Sequence, residues 1–428
     1  MTDIIADLQW RGLIHQTTAD DHLGQWLTTG SRVLYIGFDP TADSLHVGSL
    51  LQLMLLRRFQ QAGHRPIALV GGATGMIGDP SGKSDERKLL SVDSLRANVV
   101  GIEKQMRQFL DFEGEHAALL VNNFDWVRKF SYLDFLRDVG KNFPVNVMLA
   151  KDSVKSRLER ADGGLSYTEF SYMLLQAYDF AHLHEQYGCE LQVGGSDQWG
   201  NITAGIDLAR RMRGVQLYGI TSPLLVDTEG NKIGKTEEGT KVWLAAERTS
   251  PYLFFQYWIN LPDADAGNCL RFLTELRRDA IEALDESRSK EPHLRLSQRR
   301  LAEELTRLVH GDAGLKSAER ATSVFFGAEI KDITEKELGE VFADVPSQTL
   351  PCSALEAEGT PLLDAFVLAS LAKSKGEARR TVEQGGAYVN NRRVSDLDSR
   401  LTSADLVGGS IIVLRSGKKR YALLRFER

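Results

Sequence analysis

The sharpest change in hydrophobic pattern along the chain lies between residues 32 and 63. Residues 32–36, which are apolar after Arg32, have the pattern of a buried strand. Apolar residues crowd positions 50–59 and Gly63 follows them, which predicts a buried helix that ends at this glycine. Because Gly37 and Pro40 lie between the two runs, the sequence predicts a strand, a turn and a helix in immediate succession.

The predicted turn has the features of an anion site. A helix N-terminus presents free backbone N–H groups and the positive end of a helix dipole, and both favour phosphate. Asp43 or Ser44 is expected to cap the helix, with His46 in the first turn, where its imidazole reaches the same anion. The alternative is an ordinary βα unit of a parallel sheet with His46 on the surface.

Two further predicted strands end in glycine-rich loops. Residues 66–70 lead into the loop 71–84, and residues 190–193 lead into the loop 194–201. The first loop has neither the spacing of a P-loop nor that of the dinucleotide fingerprint, so neither a P-loop kinase nor a nicotinamide dehydrogenase is supported. A glycine-rich loop at the carboxyl end of a strand still brings backbone close to a ligand.

These loops also carry charges suited to a substrate. Asp79 can pair with an ammonium group, and Asp197 suits ribose hydroxyls. Lys83 and Arg87 lie four residues apart and can face one phosphate. The simpler interpretation of Lys83 and Arg87 is that they lie at the solvated start of a helix.

A turn-rich segment, residues 228–236, contains two lysines. Lys232 and Lys235 lie three residues apart, and this segment also lacks the P-loop spacing. The segment is interpreted either as a mobile phosphate-binding loop or as a polar hairpin.

The helix predicted to begin near Thr168 has two distinct faces. Phe170, Leu174, Ala177 and Ala181 form an apolar stripe at helical spacing. A polar set lies on the opposite face, at positions i, i+4 and i+7: Tyr172, Gln176 and Asp179. By default such a face is solvated; the alternative is that it lines a polar pocket.

Composition limits the class of protein. With 428 residues, 42% hydrophobic and 26% charged, the chain is expected to form a soluble globular protein of two to four domains. It has no 18-residue apolar run and no signal peptide at its start, and its three widely spaced cysteines fit a reducing cytoplasm and no zinc site.

Charge is distributed unevenly along the chain. Residues 361–428 contain 13 Lys and Arg against 7 Asp and Glu, a net charge of +6. Since the whole chain carries −6, the remainder carries −12. A small basic module after an acidic body predicts that the tail binds a polyanion.

Taken in order, these segments resemble the bacterial tyrosyl-tRNA synthetases of the class I aminoacyl-tRNA synthetase family. Residues 38–48 resemble the first class I signature, with Ser49 in place of its last histidine, and residues 232–236 stand at the second signature. Ile36 stands where some relatives have a cysteine. The matching segments are 35–46, 70–75, 78–83, 172–179 and 194–201, with 371–380 and 385–390 in the tail.

The resemblance implies an α/β fold. It would comprise a doubly wound parallel nucleotide-binding sheet with a helical insertion, then an α-helical domain and a small α+β RNA-binding domain of the ribosomal S-four type. The implied boundaries are 1–226 for the catalytic domain, with the insertion and dimer interface at about 91–186, 227–247 for a mobile signature loop, 248–325 for the helical anticodon-side domain, 326–360 for a linker and 361–428 for the RNA-binding domain.

The resemblance also implies a tyrosine–tRNA ligase. Such an enzyme converts L-tyrosine and ATP, with Mg²⁺, to tyrosyl-adenylate and pyrophosphate, and then transfers tyrosine to the 3′ end of tRNA(Tyr). It implies a cytoplasmic homodimer with no membrane partner, no permanently bound cofactor and no resident metal. Tyrosine's carboxylate is already a nucleophile, so the expected task is positioning and charge neutralisation.

The same resemblance assigns residues to these tasks. Tyr35 and Asp179 are expected to hold the substrate hydroxyl, and rejection of phenylalanine by such unpaired polar groups, without an editing domain, is known behaviour of this enzyme family. The expected catalytic residues are Thr41, His46, Lys83, Arg87, Lys232 and Lys235. The expected tyrosine-binding residues are Tyr35, Asp79, Asn123, Tyr172, Gln176, Asp179 and Gln198. The expected ATP-binding residues are Gly37, Asp39, Thr41, His46, Gly195, Asp197 and Lys235. The expected tRNA-binding residues are Lys373, Lys375, Arg379, Arg380, Lys418, Lys419 and Arg420.

Two alternatives remain open at this point. One is a tryptophan-type sister ligase with the same fold, against which the phenol of Tyr35 and the carboxylate of Asp179 favour tyrosine. The other is a non-catalytic RNA-binding relative kept for its tail. Retention of His46, Asp79 and the two loop lysines favours an enzyme, whereas Ser49 favours the non-catalytic relative.

Overall fold

The computed structural model describes residues 3–19, 22–81, 91–151, 154–155, 158, 165–236, 239–330, 333–343, 345–356, 358–417 and 420–427. The chain forms two compact units. The first comprises Met1–Arg248 and Ile259–Leu301, and the second comprises Thr249–Trp258 and Ala302–Arg428.

The first unit contains six strands and most of the helices. Its strands are β1 (Gln16–Thr17), β2 (Val33–Phe38), β3 (Arg65–Val70), β4 (Leu119–Asn122), β5 (Cys189–Gly195) and β6 (Tyr218–Ser222). Its helices are α1 (Ile4–Arg11), α2 (Leu23–Thr28), α3 (Val47–Gln61), α4 (Thr74–Ile77), α5 (Val92–Phe109), α6 (Phe124–Val127), α7 (Tyr132–Asp138), α8 (Val145–Leu149), α9 (Tyr167–Tyr187) and α10 (Trp199–Arg213), followed later by α12 (Asp263–Leu273) and α13 (Arg278–Lys290).

A six-stranded sheet in the order β1-β6-β5-β2-β3-β4 forms the centre of this unit. β1 runs antiparallel to β6, and the other neighbouring strands run parallel. The strand order reverses between β2 and β5, so the carboxyl ends of these two strands open the crevice in which ligands of such sheets bind. The predicted α/β class with a parallel sheet is confirmed.

The succession of β2 and α3 follows from the local sequence. Leu34, Tyr35 and Ile36 of β2 are at most 2% exposed, and the apolar residues of α3 between 50 and 56 are at most 1% exposed. Each such side chain contributes about 1.5–3 kcal/mol by leaving water. β2 and α3 are therefore both part of the buried core, and the loop between them is anchored at both ends.

The cap of α3 differs from the prediction. His46 is the N-cap, and its Nδ1 accepts a hydrogen bond from the backbone N–H of Gly48 at 3.0 Å. Asp43 pairs instead with Arg248 at 2.6 Å. Ser44 accepts a hydrogen bond from the side chain of Gln105 at 3.0 Å. Both predicted caps are thus engaged by segments distant in sequence.

The second unit is built on a five-stranded sheet in the order β10-β9-β12-β13-β7. Its strands are β7 (Ser347–Pro351), β8 (Thr360–Pro361), β9 (Ala387–Val389), β10 (Arg392–Arg393), β11 (Arg400–Leu401), β12 (Ile411–Ser416) and β13 (Arg420–Glu427), of which β8 and β11 form a separate pair. Its helices are α11 (Pro251–Ile259), α14 (Leu296–Phe325), α15 (Glu335–Val341), α16 (Leu362–Leu368) and α17 (Lys375–Glu383).

Both faces of this second sheet are buried. Ile412 and Leu414 of β12 pack in one apolar cluster with α16 and α17, while Ile411 and Val413 pack in another with α15. The alternation of strand side chains thus supplies two cores.

Residues 326–360 are not the predicted linker. They contain α15 and β7, and β7 pairs in parallel with residues 423–427 of β13. Ile330, Leu338 and Phe342 are at most 3% exposed. The residues of the predicted linker thus belong to a folded part of the second unit.

The predicted helical domain, residues 248–325, is divided. Helices α12 and α13 belong to the first unit, whereas residues 251–258 of α11 and α14 from Ala302 onward belong to the second. Gly311, with φ of 71°, interrupts α14. Within the described ranges, no helix is both long enough and apolar enough to cross a lipid bilayer.

Candidate active site

A cavity of about 680 Å³ lies at the carboxyl ends of β2 and β5. Its volume is typical of a site for a small molecule of drug size. It is lined by most of the residues predicted for tyrosine and ATP: Tyr35, Gly37, Asp39, Thr41, His46, Asp79, Tyr172, Gln176, Asp179, Gly195, Asp197, Gln198, Lys232 and Lys235. The predicted catalytic residues Lys83 and Arg87 lie outside the described residues.

The most deeply buried part of the lining combines a phenol and a carboxylate. Tyr35 is fully buried, with its ring 5.3 Å from that of Phe180, and Asp179 is 1% exposed. The Tyr35 hydroxyl has no hydrogen-bond partner within the described part of the chain. Burial raises the pKa of Asp179 to about 7. A ligand that brings a hydroxyl group to this place can satisfy both side chains.

Two donors fix the orientation of Asp179. The Trp126 indole N–H donates to its Oδ1 at 2.8 Å, and the Asn123 amide donates to Oδ2 at 3.0 Å. Both bonds favour the charged carboxylate and so oppose the effect of burial on its pKa. Asn123 was predicted to contact the amino acid, but it is not among the residues that line the cavity and contacts Asp179 instead. Trp126 was not predicted, because α6 is too short to show a helical pattern.

Hydrogen bonds connect other polar side chains of the lining in two groups. Gln198 donates to Asp79 Oδ2 at 2.7 Å, and its carbonyl accepts from Gln176 at 3.2 Å. The Tyr172 hydroxyl donates to Asp39 Oδ2 at 3.0 Å, and burial raises its pKa well above the usual value. A carboxylate, an amide and a phenol therefore converge, which suits an ammonium group that leaves water.

The polar face of α9 is thus not solvated. Tyr172 is 4% exposed and Asp179 1%, although they lie opposite the apolar stripe of the helix. α9 packs against α10 on one side and contributes to the cavity on the other. The alternative interpretation, a polar pocket, is the one that the structure supports.

His46 lines the cavity from the N-terminus of α3. Burial lowers its pKa to about 4, and the charges of Lys241, Lys232 and Lys235 act in the same direction. Because Nδ1 accepts the Gly48 N–H, the proton of the neutral ring must be on Nε2. The imidazole is therefore a fixed donor at its Nε2 atom.

The loop with the two predicted lysines is attached to the start of α3. Val47 N–H donates to Val242 at 3.0 Å, and Val242 N–H donates in turn to Gly234 of the loop at 2.9 Å. Gly234 has φ of +107°, and a Cβ there would meet Val47 at 3.0 Å, so a glycine is required at this position. Lys232 and Lys235 line the cavity from this loop, together with Lys241, which the sequence did not single out.

Asp197 is the carboxylate at the end of β5. Burial raises its pKa, and the charge of Asp79 acts in the same direction. No group of three or more potential metal-ligating His, Cys, Asp or Glu side chains occurs in the portion of the chain that the structure describes.

The residues predicted to bind tRNA lie in the second unit. Lys373, Lys375, Arg379 and Arg380 are exposed on α17 and the turn before it, where Lys375 pairs with Asp364 at 2.5 Å. Arg420 is exposed at the start of β13. Lys418 and Lys419 lie outside the described residues.

Two family models match the chain. The model described as tRNA synthetases class I (W and Y) matches residues 28–327, and that described as the tyrosine–tRNA ligase SYY-like C-terminal domain matches residues 337–424. The first covers more than half of the chain, including the whole cavity.

Curated relatives and solved structures agree with these models. The chain is 60% identical to a tyrosine–tRNA ligase of Rhodopirellula baltica, over 99% of this chain and 96% of that protein. It is 53% identical to a tyrosine–tRNA ligase of Roseiflexus castenholzii, over 99% and 100% of the two chains. A C-terminally truncated mitochondrial tyrosyl-tRNA synthetase of Aspergillus nidulans is similar in structure, with a TM-score of 0.68 and 30% identity over 76% of this chain and 94% of that one.

Proposed function

We propose, from the premise that this chain belongs to the class I tRNA synthetase family of tryptophan and tyrosine enzymes, that it is a tyrosine–tRNA ligase. It activates L-tyrosine with ATP to give tyrosyl-adenylate and pyrophosphate, and then transfers the tyrosyl group to the 3′ end of tRNA(Tyr). The observation that carries the choice of amino acid is the buried pair of Tyr35 and Asp179. A phenol can donate to the carboxylate and accept from the Tyr35 hydroxyl, whereas an indole N–H can only donate.

Activation requires positioning more than proton transfer. A carboxylate oxygen of tyrosine attacks the α-phosphorus of ATP, and the bond from that phosphorus to the bridging oxygen breaks, with its electron pair leaving on pyrophosphate. The neutral His46 donates through Nε2 to a phosphate oxygen, and Thr41 lines the same part of the cavity. Lys232 and Lys235 neutralise charge on the leaving pyrophosphate, a contribution that is largest in the transition state.

The remaining cavity residues hold the two substrates. Asp79, Tyr172 and Gln176 bind the ammonium group of tyrosine, and Gln198 fixes the Asp79 carboxylate. Asp197 binds the ribose hydroxyls, and the lack of side chains at Gly37 and Gly195 leaves room for the nucleotide. Mg²⁺ enters with the triphosphate as part of the ATP substrate. We assign Lys83 and Arg87 to phosphate binding on the resemblance alone.

The second step places the tRNA terminus beside the adenylate. A terminal ribose hydroxyl attacks the tyrosyl carbonyl carbon, the new ester bond forms, and the bond to AMP breaks, with its electron pair leaving on the phosphate of AMP, which can take up the hydroxyl proton. The exposed cations Lys373, Lys375, Arg379, Arg380 and Arg420, together with Lys418 and Lys419, are proposed to bind phosphates of the tRNA.

We also propose that the enzyme is a homodimer. Large apolar side chains are exposed on α7, α8 and the start of α9: Tyr132 is 64% exposed, Leu133 74%, Val145 59% and Tyr167 62%. Exposed apolar residues concentrated in this way favour a protein–protein interface. A second copy of the chain is the partner that the family suggests.

A cytoplasmic location is proposed on the state of the cysteines. Cys189, Cys269 and Cys352 are all free thiols. Burial raises the pKa of Cys189 and Cys269, which keeps them protonated and unreactive. Unpaired cysteines of this kind are typical of a reducing compartment.

Tyrosine-dependent exchange of labelled pyrophosphate into ATP tests the proposed activity. We expect exchange with tyrosine and none above background with tryptophan, followed by charging of tRNA(Tyr). A Lys235→Ala variant should reduce the exchange rate by about 100-fold, as expected for the loss of one charge-stabilising group. Absence of exchange with tyrosine, or an equal rate with tryptophan, would contradict the assignment.

A further inference from the structure

A third lysine lies at the nucleotide end of the cavity. Lys241 lines this cavity together with His46, Lys232 and Lys235. Lys232 and Lys235 are exposed, whereas Lys241 is only partly exposed. It is thus the least solvated of the three lysines.

The backbone around Lys241 is held on two sides. Lys241 pairs with Lys235 in an antiparallel bridge, and Val242 N–H donates to Gly234 at 2.9 Å. On the other side Val47 N–H donates to Val242 at 3.0 Å and Leu244 N–H donates to Leu45 at 2.9 Å. This segment therefore joins the lysine loop to the N-terminus of α3, where the anion site lies.

The alternation of side chains in this segment fixes the direction of Lys241. Val242 and Leu244 are 2% and 4% exposed and face the core. Lys241 and Trp243 consequently lie on the opposite face, with the Lys241 ammonium 5.2 Å from the centre of the Trp243 ring. The same ring lies 6.0 Å from the imidazole of His46. Trp243 is thus near both the lysine and the residue that caps α3.

The electrostatics agree with this placement. Among the charges that lower the pKa of His46, that of Lys241 has the largest effect, ahead of Lys232 and Lys235. The lining also contains four carboxylates, Asp39, Asp79, Asp179 and Asp197. An ATP triphosphate brought into a cavity with that many acids needs several cations around it.

We propose that Lys241 is a further substrate-binding residue, which holds the phosphates of ATP, and the pyrophosphate that leaves, beside Lys232 and Lys235. This inference rests on the proposed function, since it concerns the same site. Because the next residue, Val242, is hydrogen-bonded to Val47 at the start of α3, Lys241 is held in place and contributes to ATP binding before the reaction starts. Lys232 and Lys235, on the more exposed part of the loop, contribute more to the rate.

The competing explanation is that the contact of Lys241 with Trp243 is structural and that the lysine does not bind substrate. The chain offers a matched control for this, because Arg248 lies over the same ring at 4.6 Å and is not among the residues that line the cavity. Lys241→Met removes the charge and keeps an unbranched apolar side chain. Arg248→Met does the same to the other cation and also removes its exposed ion pair with Asp43, and Lys241→Arg restores the charge.

Steady-state pyrophosphate exchange on the full chain provides the test. Lys241→Met should raise the KM for ATP and for pyrophosphate about tenfold, the effect of one charged hydrogen bond, and leave the KM for tyrosine within about twofold. Lys241→Arg should restore most of the affinity, and Arg248→Met should change the KM for ATP less than about twofold. Equal effects of Lys241→Met and Arg248→Met, or an unchanged KM for ATP, would overturn the inference.

A second measurement separates this inference from the proposed function. Titration calorimetry with ATP alone reports the affinity of Lys241→Met relative to the natural chain whether or not exchange with tyrosine occurs. NMR titration of the His46 ring should show a higher pKa in Lys241→Met than in Arg248→Met. A natural chain that binds ATP through Lys241 but shows no exchange with tyrosine would contradict the proposed function alone. Unchanged ATP affinity in an active enzyme would contradict the inference alone.

Discussion

The Asp179 carboxylate accepts a hydrogen bond from the Trp126 indole N–H at 2.8 Å, in the buried wall of the cavity. Asn123 donates to the other carboxylate oxygen at 3.0 Å. The two donors hold one orientation of a side chain whose pKa burial raises to about 7. The proposed selection of tyrosine therefore depends on a residue that does not itself line the cavity.

Replacing Trp126 with phenylalanine should weaken that selection in a pH-dependent way. Phenylalanine keeps an aromatic ring near His182, whose ring lies 4.4 Å from that of Trp126, but it removes the donor to Asp179. The pKa of Asp179 should then rise further, so a smaller fraction is ionised at pH 7. We expect kcat/KM for tyrosine to fall about tenfold at pH 7 and to recover partly at pH 8.5. A pH profile identical to that of the natural chain would contradict a positioning role.

Tyr35→Phe should affect specificity and stability in opposite directions. The Tyr35 hydroxyl is buried without a hydrogen-bond partner among the described residues, so its removal should leave stability unchanged or raise it by about 1 kcal/mol. Discrimination against phenylalanine should fall by at least about tenfold, because the hydroxyl pairs only with that of the substrate. The ratio of kcat/KM for the two amino acids and urea denaturation measure the two effects. Loss of stability without loss of discrimination would move the substrate hydroxyl elsewhere.

His46 should contribute to acid sensitivity. Its pKa is about 4 in the folded protein and about 6.5 in an unfolded chain, so the unfolded state binds the proton more readily between these values. The stability associated with neutral His46 is therefore complete above pH 6.5 and is lost as the pH falls towards 4.

His46→Asn isolates this contribution, because asparagine is a good N-cap that does not titrate. Relative to the variant, the natural chain should lose up to about 3 kcal/mol between pH 7 and pH 4. Acid unfolding of both proteins, followed by circular dichroism, checks this expectation. Coincident acid transitions would show that the imidazole is protonated in the folded state at pH 6, and that it is not the neutral donor assigned here.

Leu133→Asp should disrupt the proposed dimer. Leu133 is 74% exposed on α7, so the substitution removes apolar surface without leaving a cavity in the chain itself. We expect the dissociation constant of the dimer to rise at least about 100-fold, because a charge would be buried without a partner. Sedimentation equilibrium measures it. Leu368→Asp, at a 46% exposed position on α16 outside the predicted insertion, is the control and should leave the association unchanged.

Local sequence was sufficient to predict β2, the turn and α3, because their burial makes the apolar pattern nearly continuous. It was not sufficient to identify the cap of α3. Asp43 and Ser44 are better caps than histidine by propensity, but Arg248 and Gln105 engage them, and these contacts are distant in sequence.

The hydrophobic pattern also does not predict which polar faces become buried or which distant strands pair. Whether Tyr172 and Asp179 are exposed to solvent depends on the elements that pack around α9, and helical periodicity does not identify those elements. The sequence around Lys241 alternates between polar and apolar residues, as in any half-buried strand, so nothing in the pattern distinguishes this lysine from an ordinary surface residue. Local pattern also does not reveal β7, because its partner β13 lies more than 70 residues away.

The position of β7 changes where the chain can be cut. A protein that ends at Thr360 keeps Ile330, Leu338 and Phe342 but lacks Ile411, Val413 and Leu423, against which they pack. We expect it to bind the dye ANS strongly and to aggregate, since this apolar surface would be exposed. A protein that ends at Gly327 lacks all of that cluster except the residues of α11 and α14. It should therefore bind less ANS and aggregate less than the protein that ends at Thr360.

The shorter protein should activate tyrosine but not charge tRNA. Every proposed cavity residue precedes Val242, so exchange per folded molecule should stay within about threefold of the full chain. Aminoacylation should fall at least about 100-fold, because the proposed phosphate contacts are removed. In the full chain, a triple variant with Lys373, Arg379 and Arg380 changed to glutamine should give a shallower salt dependence of tRNA affinity, by a slope of roughly 2–3. Undiminished charging by a well-folded truncated protein would show that the basic module is not the tRNA anchor and would assign that role to the helices that precede it.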